Sequence, residues 1–216
     1  MLEKMAAFFE ARLEGYEAHM LENIEGAEEF YPFTAGQLPE APGAQVLDLG
    51  CGTGLELRWY YRRNPTARIT GIDLSEKMLA ALAQRFAAQK PTLIQGSSFE
   101  APLGEGAYDA AVSVESLHHF TKEEKIGLYE KLRNSLKPGG YFILTDYFAA
   151  SDAQEQQFRE ELAQLKQAQG VEGLYHFDTP LTVEHEREAL LAAGFPRVEI
   201  LGSWGATCCL KAVKKA

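Results

Sequence analysis

The stretch Val46-Leu47-Asp48-Leu49-Gly50-Cys51-Gly52-Thr53-Gly54 decides how this chain folds. Its first four residues make a short, mostly apolar run, as expected of a strand buried on both faces of a parallel sheet. Glycines at alternate positions follow, and Leu55-Glu56-Leu57-Arg58-Trp59-Tyr60-Tyr61 continues at helical apolar spacing. Strand, glycine turn and helix form the geometry of a nucleotide site. Glycine lets the backbone turn tightly and a ligand approach closely, and a helix N-terminus presents unpaired N–H groups. The spacing departs from the dinucleotide pattern G-x-G-x-x-G, because Leu55 stands where the third glycine would fit helix against strand. Asp48 would repel a pyrophosphate there, but it can meet an ammonium group through ordered water.

On the upstream side, Leu38-Pro39-Glu40-Ala41-Pro42-Gly43 reads as a linker. Residues 2–35 read as helical, with Phe8, Phe9, Leu13, Tyr16 and Met20 at helical spacing and Gly15 and Gly26 as interruptions. They precede the first strand, so they lie outside the sheet's winding. Their expected place is over the carboxyl ends of the strands, as a cover.

On the downstream side, strand and helix alternate. The pattern predicts a helix over 54–63, a strand over 67–72, a helix over 76–88 capped by Ser75, and strands over 92–95 and 108–114. Thr121 caps a helix to about 136, and Lys137-Pro138-Gly139-Gly140 turns the chain into a strand over 141–145. A Glu- and Gln-rich helix over 151–169 and a loop over 170–180 follow. Thr182 begins a helix to Ala193, ended by Gly194. Strands over 198–201 and 207–213 close the sheet, with Trp204-Gly205 in their hairpin. The fold class is α/β: a doubly wound, Rossmann-like, mostly parallel seven-stranded sheet with an antiparallel last strand. A helical N-terminal cover and a helical insertion after the fifth strand complete it.

Composition limits the partners. The chain has 216 residues and a formal net charge of −10, and its only basic cluster is the tail from Lys211 to Lys215. That balance argues against phosphate backbones and anionic membranes, hence against nucleic acid as a partner. No apolar run reaches membrane-spanning length, and the first residues lack a signal-peptide layout, so the cytoplasm is the expected compartment. The three cysteines are odd in number, and no C-x-x-C or H-E-x-x-H occurs, so no metal site is expected. Oligomeric state leaves no mark in the sequence.

Asp48-Leu49-Gly50-Cys51-Gly52-Thr53-Gly54 resembles the first motif of class I S-adenosylmethionine-dependent methyltransferases. The resemblance extends over roughly residues 44 to 145. It implies S-adenosylmethionine as cofactor, with Asp48, Gly50, Cys51, Gly52 and Gly54 around it. Asp73, 19 positions after Gly54, ends the second strand where an acid accepts both ribose hydroxyls at the sheet's crevice. Leu74, Met78, Ser97, Ser98 and Phe99 are assigned to the adenosine. Ser97 departs from the family, which usually has an acid at that place. Tyr16-Glu17 is similar to an N-terminal element that closes over the methionine end, which makes Tyr16 a cofactor contact by resemblance. Tyr108 to Phe120 resembles the strand and loop lining the methyl-transfer region, which adds Glu115.

His118 and His119 follow that strand's carboxyl end, where catalytic groups of open α/β sheets gather. An imidazole there can take a proton from an attacking hydroxyl, thiol or amine. His119 is favoured over His118, and Tyr147 joins them as a catalytic candidate. His19, Tyr31, Tyr175, His176, Asp178 and Trp204 are candidate acceptor contacts. The expected organisation is one methyltransferase domain over 1–216: cover 1–37, cofactor-binding core 44–145, insertion 150–181, and last helix and strands 182–216. The expected function is methyl transfer to a small molecule at an undetermined O, N, S or C atom. The alternatives are a non-catalytic adenosylmethionine-binding sensor or partner protein and a nicotinamide-dependent oxidoreductase.

Overall fold

A computed structural model describes residues 2–173 and 175–216. Met1, in the expected cover, and Leu174, in the expected loop, lie outside the described residues. The strands are β1 (Gln45–Leu49), β2 (Arg68–Asp73), β3 (Thr92–Gln95), β4 (Tyr108–Val114), β5 (Leu136–Tyr147), β6 (Arg197–Trp204) and β7 (Thr207–Val213). They form one sheet in the order β3-β2-β1-β4-β5-β7-β6. β7 runs antiparallel to both neighbours, and the other pairings are parallel. The doubly wound, seven-stranded expectation therefore holds. The order reverses at β1, which places the crevice between β1 and β4 at the carboxyl end of the glycine stretch.

The helices are α1 (Met5–Ala11), α2 (Tyr16–Asn23), α3 (Ala27–Gly36), α4 (Leu57–Arg63), α5 (Glu76–Arg85), α6 (Lys122–Ser135), α7 (Asp152–Gln169) and α8 (Val183–Ala192). Gly15 and Gly26 precede α2 and α3 with φ of 85° and 76°, which splits the N-terminal segment into three short helices. Caps set other starts. Ser75 accepts from the Met78 N–H, and Thr121 and Glu124 form a reciprocal capping box. The sheet buries both faces, as the apolar β1 run requires. Leu47, Leu49, Phe142 and Leu144 pack into one core, while Val46, Val112 and Ile143 point into the other. Each such side chain contributes about 1.5–3 kcal/mol when fully buried.

Two boundaries differ from expectation for a physical reason. The helix after the glycine stretch begins at Leu57, not at 54. Gly50, Gly52 and Gly54 hold φ of 70°, 48° and 71°, which keeps the chain out of the right-handed helix until it has passed them. β5 begins at Leu136 rather than 141. Leu136 already pairs with Tyr108, and the next pair is Ala110 with Tyr141, so the Lys137-Pro138-Gly139-Gly140 turn bulges out of a continuing strand.

Candidate active site

The carboxyl ends of β1, β2 and β4 shape the first part of the site. The Gly50 and Cys51 N–H groups donate to the Ile72 carbonyl, at 2.8 and 3.1 Å. The Gly52 N–H donates to Asp73 Oδ2 at 2.9 Å, and the Ser75 N–H donates to Asp73 Oδ1 at 2.8 Å. Asp73 thus ties the glycine loop to the start of α5 as well as facing the crevice. A Cβ on Gly50 would lie 1.8 Å from the Ser116 hydroxyl oxygen, so only glycine fits where the two loops meet.

Two adjoining spaces open there. One is a slot of about 70 Å³. Of the residues assigned to the cofactor, Tyr16, Gly50, Gly52, Asp73, Leu74, Met78, Ser97, Ser98, Phe99 and Glu115 line it. Met5 and Phe9 of α1, which carried no such assignment, line it too. The other is a cavity of about 760 Å³, whose lining includes His19, His118, His119, Tyr147, His176, Asp178 and Trp204. Phe9, Tyr16, Glu115 and His119 line both, and so form the junction.

Several assigned residues lie elsewhere. Cys51 packs against Gly71, whose added Cβ would sit 2.8 Å from its sulfur. Gly54 faces Phe86, Leu57 and Leu82, so it serves helix packing. Asp48 is 1% exposed beneath the loop. Burial, then the charge of Glu56, pushes its carboxyl well above the usual range. It lines neither space. Tyr31 is buried among Phe30 and Trp59, and Tyr175 bridges to Lys4. Neither touches the cavity, because α3 and the chain entering α1 are packing elements there.

The histidines differ in their partners. His118 is buried, with Nδ1 2.6 Å from Asp146 Oδ1 and Nε2 3.5 Å from Asp178 Oδ1. Burial opposes its charge, but these carboxylates more than offset it and raise its pKa to about 10. Burial raises Asp146, yet the His118 charge holds it below the ordinary range. His119 Nδ1 lies 3.2 Å from the Phe177 carbonyl, and burial with the His118 charge pushes its pKa down to about 3. Glu115 accepts from the Thr207 hydroxyl at 3.0 Å. Burial and the Asp146 charge raise its pKa to about 7. Sequence reading missed Asp146, and its one sign was an acid at the end of a strand.

The N-terminal helices are fastened over this junction. Glu17 of α2 pairs with Arg85 and, at 3.7 Å, with Arg58, while Arg85 also donates to the Thr53 carbonyl at 3.3 Å. Phe8 of α1 stacks on His176 with ring centroids 3.5 Å apart.

A family profile described as a methyltransferase domain matches residues 46–140. The carboxy-S-adenosyl-L-methionine synthase of Pseudomonas aeruginosa is 30% identical over 177 residues, covering 73% of this chain and 71% of that protein. An uncharacterized methyltransferase of Synechocystis is 32% identical over 130 residues, covering 60% of this chain and 59% of its own. Human N-acetylserotonin methyltransferase, solved in complex with S-adenosylmethionine, shares the fold with a TM-score of 0.64 at 20% identity, over 97% of this chain and 55% of that one. The chain therefore belongs to the class I S-adenosylmethionine-dependent methyltransferases, and S-adenosylmethionine is its cofactor. It spans 59%, 40% and 33% of the first curated relatives it matches. The slot fits the group. An added Cβ on Gly96 would meet nothing within 4 Å, and one on Gly52 only the Tyr16 hydroxyl at 3.9 Å, so both leave backbone open toward it. Among the described residues, no helix is long and apolar enough to cross a membrane.

Proposed function

We propose that the chain, acting as a single methyltransferase domain, moves the methyl group of S-adenosylmethionine to a small molecule and releases S-adenosylhomocysteine. The observation that carries this reading is the junction: the slot behind the glycine loop and the 760 Å³ cavity share Phe9, Tyr16, Glu115 and His119 as walls. α1, α2 and the segment around His176 line or roof that cavity, which suits a small acceptor better than a macromolecular surface.

When bound, the cofactor supplies a methyl group already activated on a sulfonium. The chain has to align and enclose. The Asp73 carboxylate, held by two backbone N–H groups, faces the ribose position. Ser97 and Phe99 line the adenine end, with Met78 beneath. Tyr16 stands at the junction beside Gly52, and the aromatic walls exclude water so that acceptor and methyl group meet in line. His118, fixed between Asp146 and Asp178, orders the cavity wall and holds its own proton. Isothermal calorimetry tests the reading. Adenosylhomocysteine should bind and NAD should not at the same concentration. NAD bound with adenosylhomocysteine ignored would overturn it.

A further inference from the structure

We propose that the methyl acceptor is a basic amine, bound as its ammonium ion, and that Glu115 takes the proton this nitrogen must lose before it attacks. This rests on the methyltransferase reading above. The cavity wall carries four carboxylates, Glu14, Glu25, Glu115 and Asp178, against two cations, Arg12 and His118. Both cations are already engaged. Arg12 pairs with Glu3 at 3.1 Å and lies over the Phe8 ring at 3.6 Å, and His118 sits between Asp146 and Asp178. The cavity thus presents uncompensated negative charge among aromatic faces, those of Phe9, Tyr16, Tyr147 and Trp204. Carboxylates and ring faces together attract an ammonium ion. An anionic acceptor would meet repulsion instead.

Glu115 is placed to act on that nitrogen. It lines both spaces, at the point where methyl group and acceptor must meet. Its backbone is held at φ 48°, a left-handed conformation a glutamate rarely adopts, fixed by its N–H donating to the Thr145 carbonyl at 2.8 Å. Strain of this kind collects at functional positions. Oε1 accepts from Thr207, and among the described residues Oε2 has no hydrogen-bond partner. A carboxyl poised at about 7 suits a general base at neutral pH. His119 cannot take this part, since a pKa near 3 holds a proton too weakly. His118 is already charged.

The step balances. Glu115 carboxylate accepts one N–H proton, leaving a neutral amine. The nitrogen lone pair forms the N–C bond as the C–S bond breaks, and that bond's electron pair stays on sulfur. The products are the methylated ammonium ion, adenosylhomocysteine and protonated Glu115, with the total charge unchanged. Glu115 returns its proton to water. The charged and titratable groups facing it are Asp146 and Tyr147 on β5, His118 on its own loop, Asp178, Tyr16 of α2 and Tyr31 of α3.

The full chain is tested with phenethylamine and a panel of aliphatic primary amines, each beside the matched alcohol, thiol and carboxylate. Readouts are adenosylhomocysteine formation and the thermal midpoint of the chain saturated with adenosylhomocysteine. Amines alone should turn over and raise the midpoint. Glu115→Gln, which keeps the shape, should lower kcat by about a hundredfold or more, remove the limb of the pH profile that rises near neutrality, and keep adenosylhomocysteine affinity within about tenfold. Turnover of the alcohols, thiols or carboxylates, no turnover of any amine, or equal amine turnover in Glu115→Gln would each overturn the inference. Adenosylhomocysteine binding in the same preparations shows whether the methyltransferase reading stands regardless.

Discussion

Asp73 joins cofactor recognition to the integrity of the loop, and two substitutions separate these effects. Its Oδ2 accepts from Gly52 and its Oδ1 from Ser75, at 2.9 and 2.8 Å. For ligand affinity Asp73→Asn is the milder change, since an amide oxygen still accepts one bond. For stability the two backbone donors decide. The asparagine amide would turn an NH2 group toward one of two backbone N–H donors, leaving that N–H unpaired at about 1–3 kcal/mol. For a chain of 216 residues, each kcal/mol lowers the midpoint by roughly 2–4 °C, so Asp73→Asn should melt roughly 2–12 °C below wild type. Asp73→Ala also loses both acceptors, but water in the crevice can reach the freed N–H groups, so its midpoint should fall no further. For affinity, losing hydrogen bonds to the charged carboxylate costs about 1.5–3 kcal/mol. Adenosylhomocysteine should therefore bind either variant roughly ten- to a hundredfold more weakly. Differential scanning calorimetry and titration calorimetry on the three proteins measure both. Wild-type midpoint and wild-type affinity in Asp73→Asn would refute the two-bond anchor and the ribose role together.

Two further outcomes concern buried acids. Burial holds the Asp48 carboxyl well above its unfolded value, so the folded chain keeps a proton that the unfolded chain releases near pH 4. That stability is full at low pH and is lost as pH rises through the folded-state value. Asp48→Asn does not titrate, so its midpoint should fall less than wild type's as pH rises above the unfolded value of about 4, and an equal fall in both proteins would contradict the raised carboxyl. Asp146→Asn removes the close carboxylate from buried His118. Breaking such a pair costs about 3–5 kcal/mol, so the midpoint should drop by roughly 6–20 °C, and a change of under about 2 °C would show that Asp178 alone suffices.

What the sequence made legible was the winding. The apolar β1 run, the glycines and the alternation of caps with short apolar segments are local signals, and local signals predicted the seven strands and their order of use. Residues brought to the slot from the loop after β2 and the loop after β3 were readable for the same reason, because each stands at a strand's end. The errors arose where three-dimensional packing decides. Asp48 belongs to the motif, but its side chain goes under the loop to Glu56, a partner that motif spacing does not reveal. Tyr31 has the polar tip of a site residue, yet α3 turns it between Phe30 and Trp59. Asp146 lies 28 residues from His118, and only the adjacency of β4 and β5 brings them together. Phe9 read as one apolar position of a covering helix and Met5 carried no reading, yet both pack with the core and complete the slot wall.

That last placement has a further consequence. Met5 and Phe9 put α1 into the wall of the slot that takes the cofactor. The same helix lines the cavity beside it through Phe8, which stacks on His176, and through Phe9. One helix thus borders both spaces, so a change in its seating reaches the cofactor and the cavity beside it together.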